Sequence, residues 1–429
     1  MTPGDRAELD AHQLNRLNAL IEAVLAGNAF YGPVLRDAGV SGAVASLDDF
    51  RRRVPPTSKQ QLVDDQAEHP PFGTNLSFPL DRYTRYHQTS GTTGRPLRWL
   101  DTPEGWSAML DCWERVFAAA GIGAGDRVCF TFSFGPFLGF WTAFEAAARI
   151  GCLCVPAGGM STAARLRLIL DTRCDAVCCT PTYALHLAAA AGEHGIDLTA
   201  GRVRRVIVAG EPGGSVPAVR ARIETGLGHD AQACRVFDHH GLTEVGPVSH
   251  ELHDRPGTLA VIEPHYLAEL VDPDTLAPVD PEPGAAGELL LTTLSRVGSP
   301  LLRYRTGDLV RVGEGPGLTL DGGVLARVDD MVLVRGNNVF PSAVDQVVRS
   351  HPAVAEYRVA VTEGGGLTEM RIEVEPTPDA EDPAAVCRAV ELSLRDALHL
   401  RVPVRPAAVG ALPRFEMKAN RWVRHTRDD

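Results

Sequence analysis

The sequence predicts an α/β protein in which a large N-terminal domain with parallel sheets, helices and a β-rich subdomain is followed by a small α+β C-terminal domain. Three observations predict it. From about residue 104, helix-like stretches such as "EGWSAMLDCWERVFAAAG" alternate with short β-rich runs, "DRVCFTFSF", "GCLCVPAG", "DAVCCTPT", "VRRVIVAG" and "CRVFDHH". Strands alternating with helices of roughly ten to fifteen residues mark βαβ units and parallel sheet. Near 257–325 the texture changes to strand and turn, rich in Pro, Asp and Gly, which reads as a β-rich subdomain closing the large domain. A second shift follows "ARVDDMVLVRGNNVFPSAVDQVVRSHPAV". There Ser342, with Asp345 three residues on, is expected to cap a helix carrying Val344, Val347 and Val348. A strand ("EYRVAV"), a Gly-rich turn, a strand ("EMRIEVEP") and a helix ("PAAVCRAVELSLRDAL") complete a separable unit of roughly 100 residues. The expected division is 1–328 and 329–429.

Composition narrows the function. The 429 residues are 44% apolar and 22% charged, with a formal charge of −12. That balance argues against general nucleic-acid or anionic-membrane binding, so any phosphate ligand must be held by a local pocket. The N-terminal "MTPGDRAELDAHQ" lacks the basic segment and apolar core of a secretory signal, and no apolar run is long enough to cross a bilayer. A cytoplasmic protein is expected. The nine cysteines form no C-x-x-C pair, and most sit in apolar stretches such as "DAVCCTPTYAL". They read as small core hydrophobes.

Of 42 basic residues only two are lysine, Lys59 and Lys418. Lysine is a compact point charge on a flexible stem and suits delivery of charge to one oxygen in a tight site. Lys418 stands in "RFEMKANRW", whereas Lys59 lies in a polar N-terminal stretch with no motif around it.

Four further stretches carry chemistry. "HQTSGTTGRPLRW", residues 87–99, holds hydroxyls and glycines close together, the equipment for wrapping phosphate oxygens, although a plain Ser/Thr/Gly turn has the same composition. It is neither a Walker loop nor a G-x-G-x-x-G turn. In "FDHHGLTEVGP", residues 237–247, directly after a predicted strand, Glu244 offers a hard oxygen ligand for magnesium and Thr243 a phosphate contact; the alternative is a helix start. In "LLRYRTGDLV", residues 301–310, Asp308 is able to accept both ribose hydroxyls or to sit in a turn. "ARVDDMVLVRGNNVFP", residues 326–341, is a boundary segment whose Asp pair is otherwise a solvated linker.

In order and spacing, "TSGTTGRP", "HHGLTE", "YRTGD", "ARVDDMVLVRGNNVFP" and "RFEMKANRW" resemble the adenylate-forming acyl-CoA synthetase superfamily. The short length and the "RGNNVFP" form point to its phenylacetate-CoA ligase branch. The resemblance covers nearly the whole chain. It implies an AMP-forming acid–thiol ligase: a carboxylate attacks the α-phosphorus of ATP, pyrophosphate leaves, and coenzyme A then displaces AMP from the acyl-adenylate. It implies that Thr89, Ser90, Gly91, Thr92 and Thr93 embrace the phosphates, and that Thr243 and Glu244 bind phosphate and Mg²⁺. Asp308 would hold the ribose, with Glu211, Pro212, Asp238, His239, His240 and Gly241 lining the adenine. Arg327 would contact nucleotide, Asp329 would be the hinge of a mobile C-terminal domain, and Lys418 would be the adenylation lysine.

The chain departs from the branch in four places. Arg95 stands where lysine is common in the threonine-rich loop, His240 where tyrosine is common, and Ala326 where glycine is usual. The titratable His240 ring makes nucleotide affinity pH-sensitive in principle. The cysteines of a structural zinc site are missing, although His250, His253 and His265 remain nearby, so zinc is not expected. "FTFSFGPFLGFW" offers Phe134, Phe137, Phe140 and Trp141 at a strand end, either as an aryl pocket or as ordinary core. By analogy with the branch the substrate is an aryl or arylacetic acid. Two alternatives stay open: transfer of the aryl group to an amine, hydroxyl or carrier-protein thiol, and a nucleotide-binding protein without catalysis. Expected partners are the acid, ATP and coenzyme A or another acceptor, without nucleic acid or membrane, and a homodimer is allowed.

Overall fold

Apolar β-rich runs of four or five residues, too short to bury themselves, are assembled into one parallel sheet. The computed structural model describes residues 3–89, 96–139, 141–228, 234–335, 337–363, 368–415 and 419–426. Within it the strands Leu153–Pro156, Arg127–Phe130, Ala176–Cys179, Arg205–Ala209 and Arg235–His239 lie side by side in that order, all parallel. Because strand side chains alternate, both faces are apolar. Cys129, Val177, Cys179, Val206, Val208 and Val236 pack against the helices Thr162–Asp171, Pro181–Glu193 and Pro217–Leu227. Val128, Phe130, Ala176, Cys178, Ile207 and Phe237 pack against Pro103–Ala119 and Trp141–Arg149. Among the cysteines Cys112, Cys129, Cys174, Cys178, Cys179, Cys234 and Cys387 are free and buried, while Cys152 and Cys154 are half-buried.

The strand Arg127–Phe130 has its successor, Leu153–Pro156, on one side and the third strand, Ala176–Cys179, on the other. This is a topological switch point, where open α/β sheets leave a crevice at the carboxyl ends of the strands. "FTFSFGPF" begins at that end.

From Ser249 to Arg327 an antiparallel sheet follows, ordered Ser249–Leu252, Arg255–Val261, Thr319–Arg327, Tyr304–Val312, Ala286–Thr293 and Tyr266–Val271. Leu259, Leu270, Leu289, Leu291, Val310 and Leu320 form its core. The N-terminal helices, beginning with Pro3–Gly27, pack on Leu267, Leu294 and Leu302. Asp308 and Arg327 are cross-strand partners at one end of the sheet.

The C-terminal region has a core of its own, including Val344, Val359, Ile372, Val390 and Leu394. Its sheet runs Val404–Pro406, Glu369–Pro376, Val354–Glu363, Trp422–Thr426, with helices Pro341–Arg349 and Pro383–Leu398. The expected Ser342 cap is corrected here. The helix starts at Pro341, with Phe340 preceding it, and the Ser342 Oγ is buried with no hydrogen-bond partner among the described residues. Proline has a preset φ and no N–H to satisfy, so it takes the first helical position and draws Ser342 inside. Asp345 instead accepts the Tyr357 hydroxyl at 2.6 Å.

The antiparallel hairpin Arg85–Gln88 with Arg98–Asp101 flanks the threonine-rich loop. Its His87 ring stacks on Trp106, 5.2 Å between centroids and 4° from parallel, with Asp101 Oδ2 3.9 Å from Nδ1. Burial outweighs the pull of Asp101 and lowers the His87 pKa to about 4. A depressed folded-state pKa gives stability that is present above about 6.5 and lost as pH falls through about 4. At roughly 1.4 kcal/mol per pKa unit the window holds at most about 3 kcal/mol. His87→Phe keeps a ring on Trp106 and removes the proton. Its melting temperature is therefore expected to fall less steeply than that of the wild type between pH 6.5 and 4, and parallel curves would refute this origin of the acid lability.

Candidate active site

Among the described motif residues, those of 238–244 lie at the carboxyl end of the parallel strand Arg235–His239, and Asp308 of the antiparallel sheet meets them at His240. After Arg235–His239 the chain makes a two-residue pairing, Gly241–Leu242 with Gly246–Pro247, so Thr243 and Glu244 occupy a tight hairpin turn rather than a helix start. Gly246 has φ of +107°, and an added Cβ would lie 2.9 Å from the Tyr266 hydroxyl, so only glycine closes this turn without displacement. Arg296 fixes it from outside. Its Nε and Nη2 hold Asp101 at 2.5 and 2.7 Å, and its Nη1 donates to the Thr243 carbonyl at 2.9 Å. The hairpin below the threonine-rich loop and the Thr-Glu turn thus share one buried guanidinium.

Glu244 is 4% exposed. Its Oε1 accepts the Tyr304 hydroxyl at 2.8 Å, and Lys59 Nζ lies 3.8 Å from the same oxygen. Burial first and the Glu244 charge second push the Tyr304 phenol well above its ordinary range, which keeps it a donor. Lys59, the lysine without a motif, therefore belongs to this site. Its helix, Lys59–Glu68, begins after a Ser58 capping box, which puts Lys59 at the helix's first residue. The helix carries no basic run, and nothing local in the sequence signals its distant partner.

A second group forms around Asp308 on the strand shared with Tyr304. His240 Nε2 lies 2.9 Å from Asp308 Oδ2, and Arg327 Nη1 donates to Oδ1 at 3.1 Å. Arg327 also grips Asp329 through Nε and Nη2, at 3.0 and 3.1 Å. Burial alone would lower the Arg327 pKa, but Asp308, Asp329 and Asp330 hold it well above the ordinary arginine range. His240 Nδ1 is buried without a hydrogen-bond partner among the described residues.

Asp238 and His239 face inward. Asp238 accepts the Ser215 hydroxyl at 2.6 Å and the His239 N–H at 2.9 Å, close to Glu251, which Arg220 clamps at 2.6 and 2.9 Å. Burial raises the Asp238 pKa to about 6 despite the Ser215 bond. A Cβ at Gly214 would come 2.4 Å from this carboxylate, so the "EPGGS" turn depends on glycine there. His239 Nδ1 is 2.6 Å from the Ser249 carbonyl and its ring is 4.4 Å from Trp113, with burial lowering its pKa to about 3. Any contact of these two with a base would run through backbone. Gly241 and Pro212 are exposed, and Glu211 is half-buried.

Thr89 closes the mouth of the threonine-rich loop: its N–H donates to the Leu97 carbonyl at 2.9 Å, and its Oγ1 accepts the Leu97 N–H at 3.0 Å. Gln88 N–H donates to the Pro136 carbonyl at 2.7 Å, tying that loop to "FSFGPF". Phe134 packs on Trp141 at 4.5 Å and on Phe132 and Phe144 at 5.4 and 5.3 Å, while the Trp141 Nε1–H donates to the Gly135 carbonyl at 2.9 Å. Phe137 is half-buried beside them. Ser90, Gly91, Thr92, Thr93, Arg95, Phe140 and Lys418 lie outside the described residues. His250, His253 and His265 point to three different partners, the Glu251 carbonyl, the Ala119 carbonyl and the Ser295 hydroxyl. Among the described residues no group of three or more His, Cys, Asp or Glu side chains is arranged around a metal position.

The C-terminal region rests on this face. Ala419 N–H donates to Glu211 Oε2 at 2.9 Å, Arg421 Nη2 to Thr182 Oγ1 at 3.3 Å, and Arg222 Nη2 to the Val354 carbonyl at 3.3 Å.

Comparison with known proteins agrees with this geometry. The AMP-binding enzyme family profile matches residues 85–295, and the AMP-binding enzyme C-terminal domain profile matches 336–427. A phenylacetate-coenzyme A ligase of Thermus thermophilus is 34% identical over 86% of this chain and 82% of its own. A crystal structure of 2-hydroxyisobutyryl-CoA ligase in the postadenylation state, with 2-HIB-AMP, superposes with a TM-score of 0.90 at 27% identity, covering 98% of this chain and 90% of that one. The same ligase in the thioesterification state, with 2-HIB-AMP and CoA, gives 0.71 at 28% identity, over 100% and 91%. The chain therefore superposes more closely on the postadenylation structure of that ligase than on its thioesterification structure. The chain belongs to the AMP-binding, adenylate-forming enzymes, on their phenylacetate-CoA ligase-like branch.

Proposed function

We propose that this enzyme activates an aryl or arylacetic acid with ATP and passes the acyl group to coenzyme A. The observation that carries the reading is the pairing of two prepared groups on one strand, Tyr304–Val312: Glu244 with Tyr304 and Lys59, and Asp308 with His240 and Arg327. In the first step a carboxylate oxygen of the acid bonds to the α-phosphorus as the bond to the bridging oxygen breaks, and pyrophosphate leaves with the electron pair. In the second the thiolate sulfur bonds to the acyl carbon and AMP departs.

Two anions meet in the first step, so positive charge and N–H or O–H donors must be waiting where charge concentrates. Lys59 stands at the Glu244 end and Lys418 would be brought by the C-terminal part, residues 329–429, turning about Asp329. Glu244 is a buried carboxylate with a hard oxygen for a divalent cation; with Thr243 it would hold Mg²⁺, which neutralises polyphosphate charge when bound. Ser90, Thr92 and Thr93 would add hydroxyls and backbone N–H groups, closed off by Thr89. Asp308 is oriented by His240 and Arg327 before nucleotide arrives, so its oxygens accept ribose hydroxyls without a search of rotamers. Pro212 and the backbone of 238–241 border the base, while the carboxylate oxygens of Glu211 are turned to the Thr182 and Ala419 N–H groups. Phe134, Phe137 and Trp141, half-buried beside the switch point, together with Phe140, suit an aromatic ring. A cytoplasmic enzyme has both ATP and coenzyme A at hand.

Pyrophosphate release with a panel of aromatic acids, ATP and Mg²⁺ is expected to occur with at least one acid and to accelerate with coenzyme A as thioester forms; silence with every acid would remove the reading. Lys418→Arg keeps the charge but not the single-point geometry, and adenylation is expected to fall roughly 10²-fold, about 3 kcal/mol in the transition state. Lys59→Gln is expected to lower kcat/KM for ATP about tenfold, ~1.4 kcal/mol. An unchanged kcat/KM would assign Lys59 to neutralising Glu244 alone.

A further inference from the structure

Glu211 sits just beyond the strand Arg205–Ala209 and uses its two carboxylate oxygens in different directions. Oε1 accepts the Thr182 N–H at 2.8 Å, in the first turn of the helix Pro181–Glu193, where an anion is favoured by the unpaired N–H groups. Oε2 accepts the Ala419 N–H at 2.9 Å. The first bond lies within the large part of the molecule and holds the carboxylate in place; the second crosses to the C-terminal part. Arg421 makes a parallel crossing. It is 7% exposed, donates to Thr182 Oγ1 at 3.3 Å, and is held from its own side by Glu356 at 2.7 and 3.1 Å. Glu356 in turn accepts the Tyr357 N–H at 2.8 Å. Both crossings converge on Thr182 and Glu211, and Ala419 is the residue that follows Lys418 in the chain.

We propose that Glu211, with Thr182 and Arg421, is the catch that seats the Ala419 segment for the first half-reaction and lets go for the second. Glu211 is a positioning residue: it acts through the segment that carries Lys418 and takes no part in the phosphorus chemistry. The inference rests on the reading of the enzyme given above. A carboxylate already fixed by a helix terminus presents a ready acceptor to an arriving backbone N–H, so docking needs no rearrangement of the large part. Turning of the C-terminal part breaks the Ala419 and Arg421 crossings together. The bond to Thr182 N–H remains, and so does the preset acceptor for the next cycle.

The test separates the half-reactions, as acid-dependent ATP–pyrophosphate exchange and as coenzyme A-dependent consumption of presynthesised aryl-adenylate. Glu211→Gln retains one carbonyl oxygen and turns an NH₂ toward one of the two N–H donors. The ratio of exchange kcat to second-half rate is expected to fall about tenfold, the loss of one charge-assisted hydrogen bond. Thr182→Val removes only the Arg421 crossing; a fall of roughly threefold in exchange kcat is expected, a fraction of such a bond, with the second half unchanged. Equal losses in both half-reactions would make Glu211 a general structural residue and overturn the proposal. A raised KM for ATP with unchanged exchange kcat would make it a base contact and overturn it too. Wild-type exchange with both variants at wild-type ratios removes the catch alone, whereas absence of exchange in the wild type removes the underlying reading.

Discussion

A parallel sheet buried on both faces is the constraint from which the rest of this molecule follows. With Val206, Val208 and Val236 facing one helical layer and Val128, Ile207 and Phe237 facing the other, no strand has a free face for polar chemistry. Functional groups are therefore confined to strand ends and the loops beyond them. The position of Arg127–Phe130 between the second and third strands, Leu153–Pro156 and Ala176–Cys179, then opens a crevice at the carboxyl ends of the strands. Thr182, Glu211, Asp238 and the Thr243–Glu244 turn all emerge on that side.

The second organising principle is the pairing of buried anions. Glu251 is clamped by Arg220, Asp101 by Arg296, Glu269 by Arg303 and Glu288 by Arg305. A buried ion pair does not by itself add much stability, yet removing one partner leaves a costly unpaired charge, so such pairs fix geometry. Arginine suits this work because its planar fork meets a carboxylate with two N–H donors. Lysine is scarce, and Lys59, the one that lies among the described residues, stands beside the buried carboxylate Glu244.

The C-terminal region carries its own core, and its contacts with the large part include three polar crossings, at Glu211, Thr182 and the Val354 carbonyl. The better superposition on a postadenylation structure than on a thioesterification structure of one ligase fits an arrangement held by such contacts.

Much of this was legible in one dimension. Periodic apolar runs determine the parallel sheet because strands buried on both faces must be apolar throughout, and the order and spacing of the motifs carry the resemblance to the family that the comparisons show. Local rules had limits even there: Ser342 fits a capping pattern, but Pro341 fits the first helical position better. What only the tertiary structure decided are the contacts between residues far apart in the chain. Lys59 beside Glu244, Arg296 joining Asp101 to Thr243, His240 turned onto Asp308, and Glu211 reaching Ala419 leave no period and no motif. They arise because the sheet brings distant loops to one edge, and the partner of each buried charge is fixed by that convergence rather than by its neighbours in sequence.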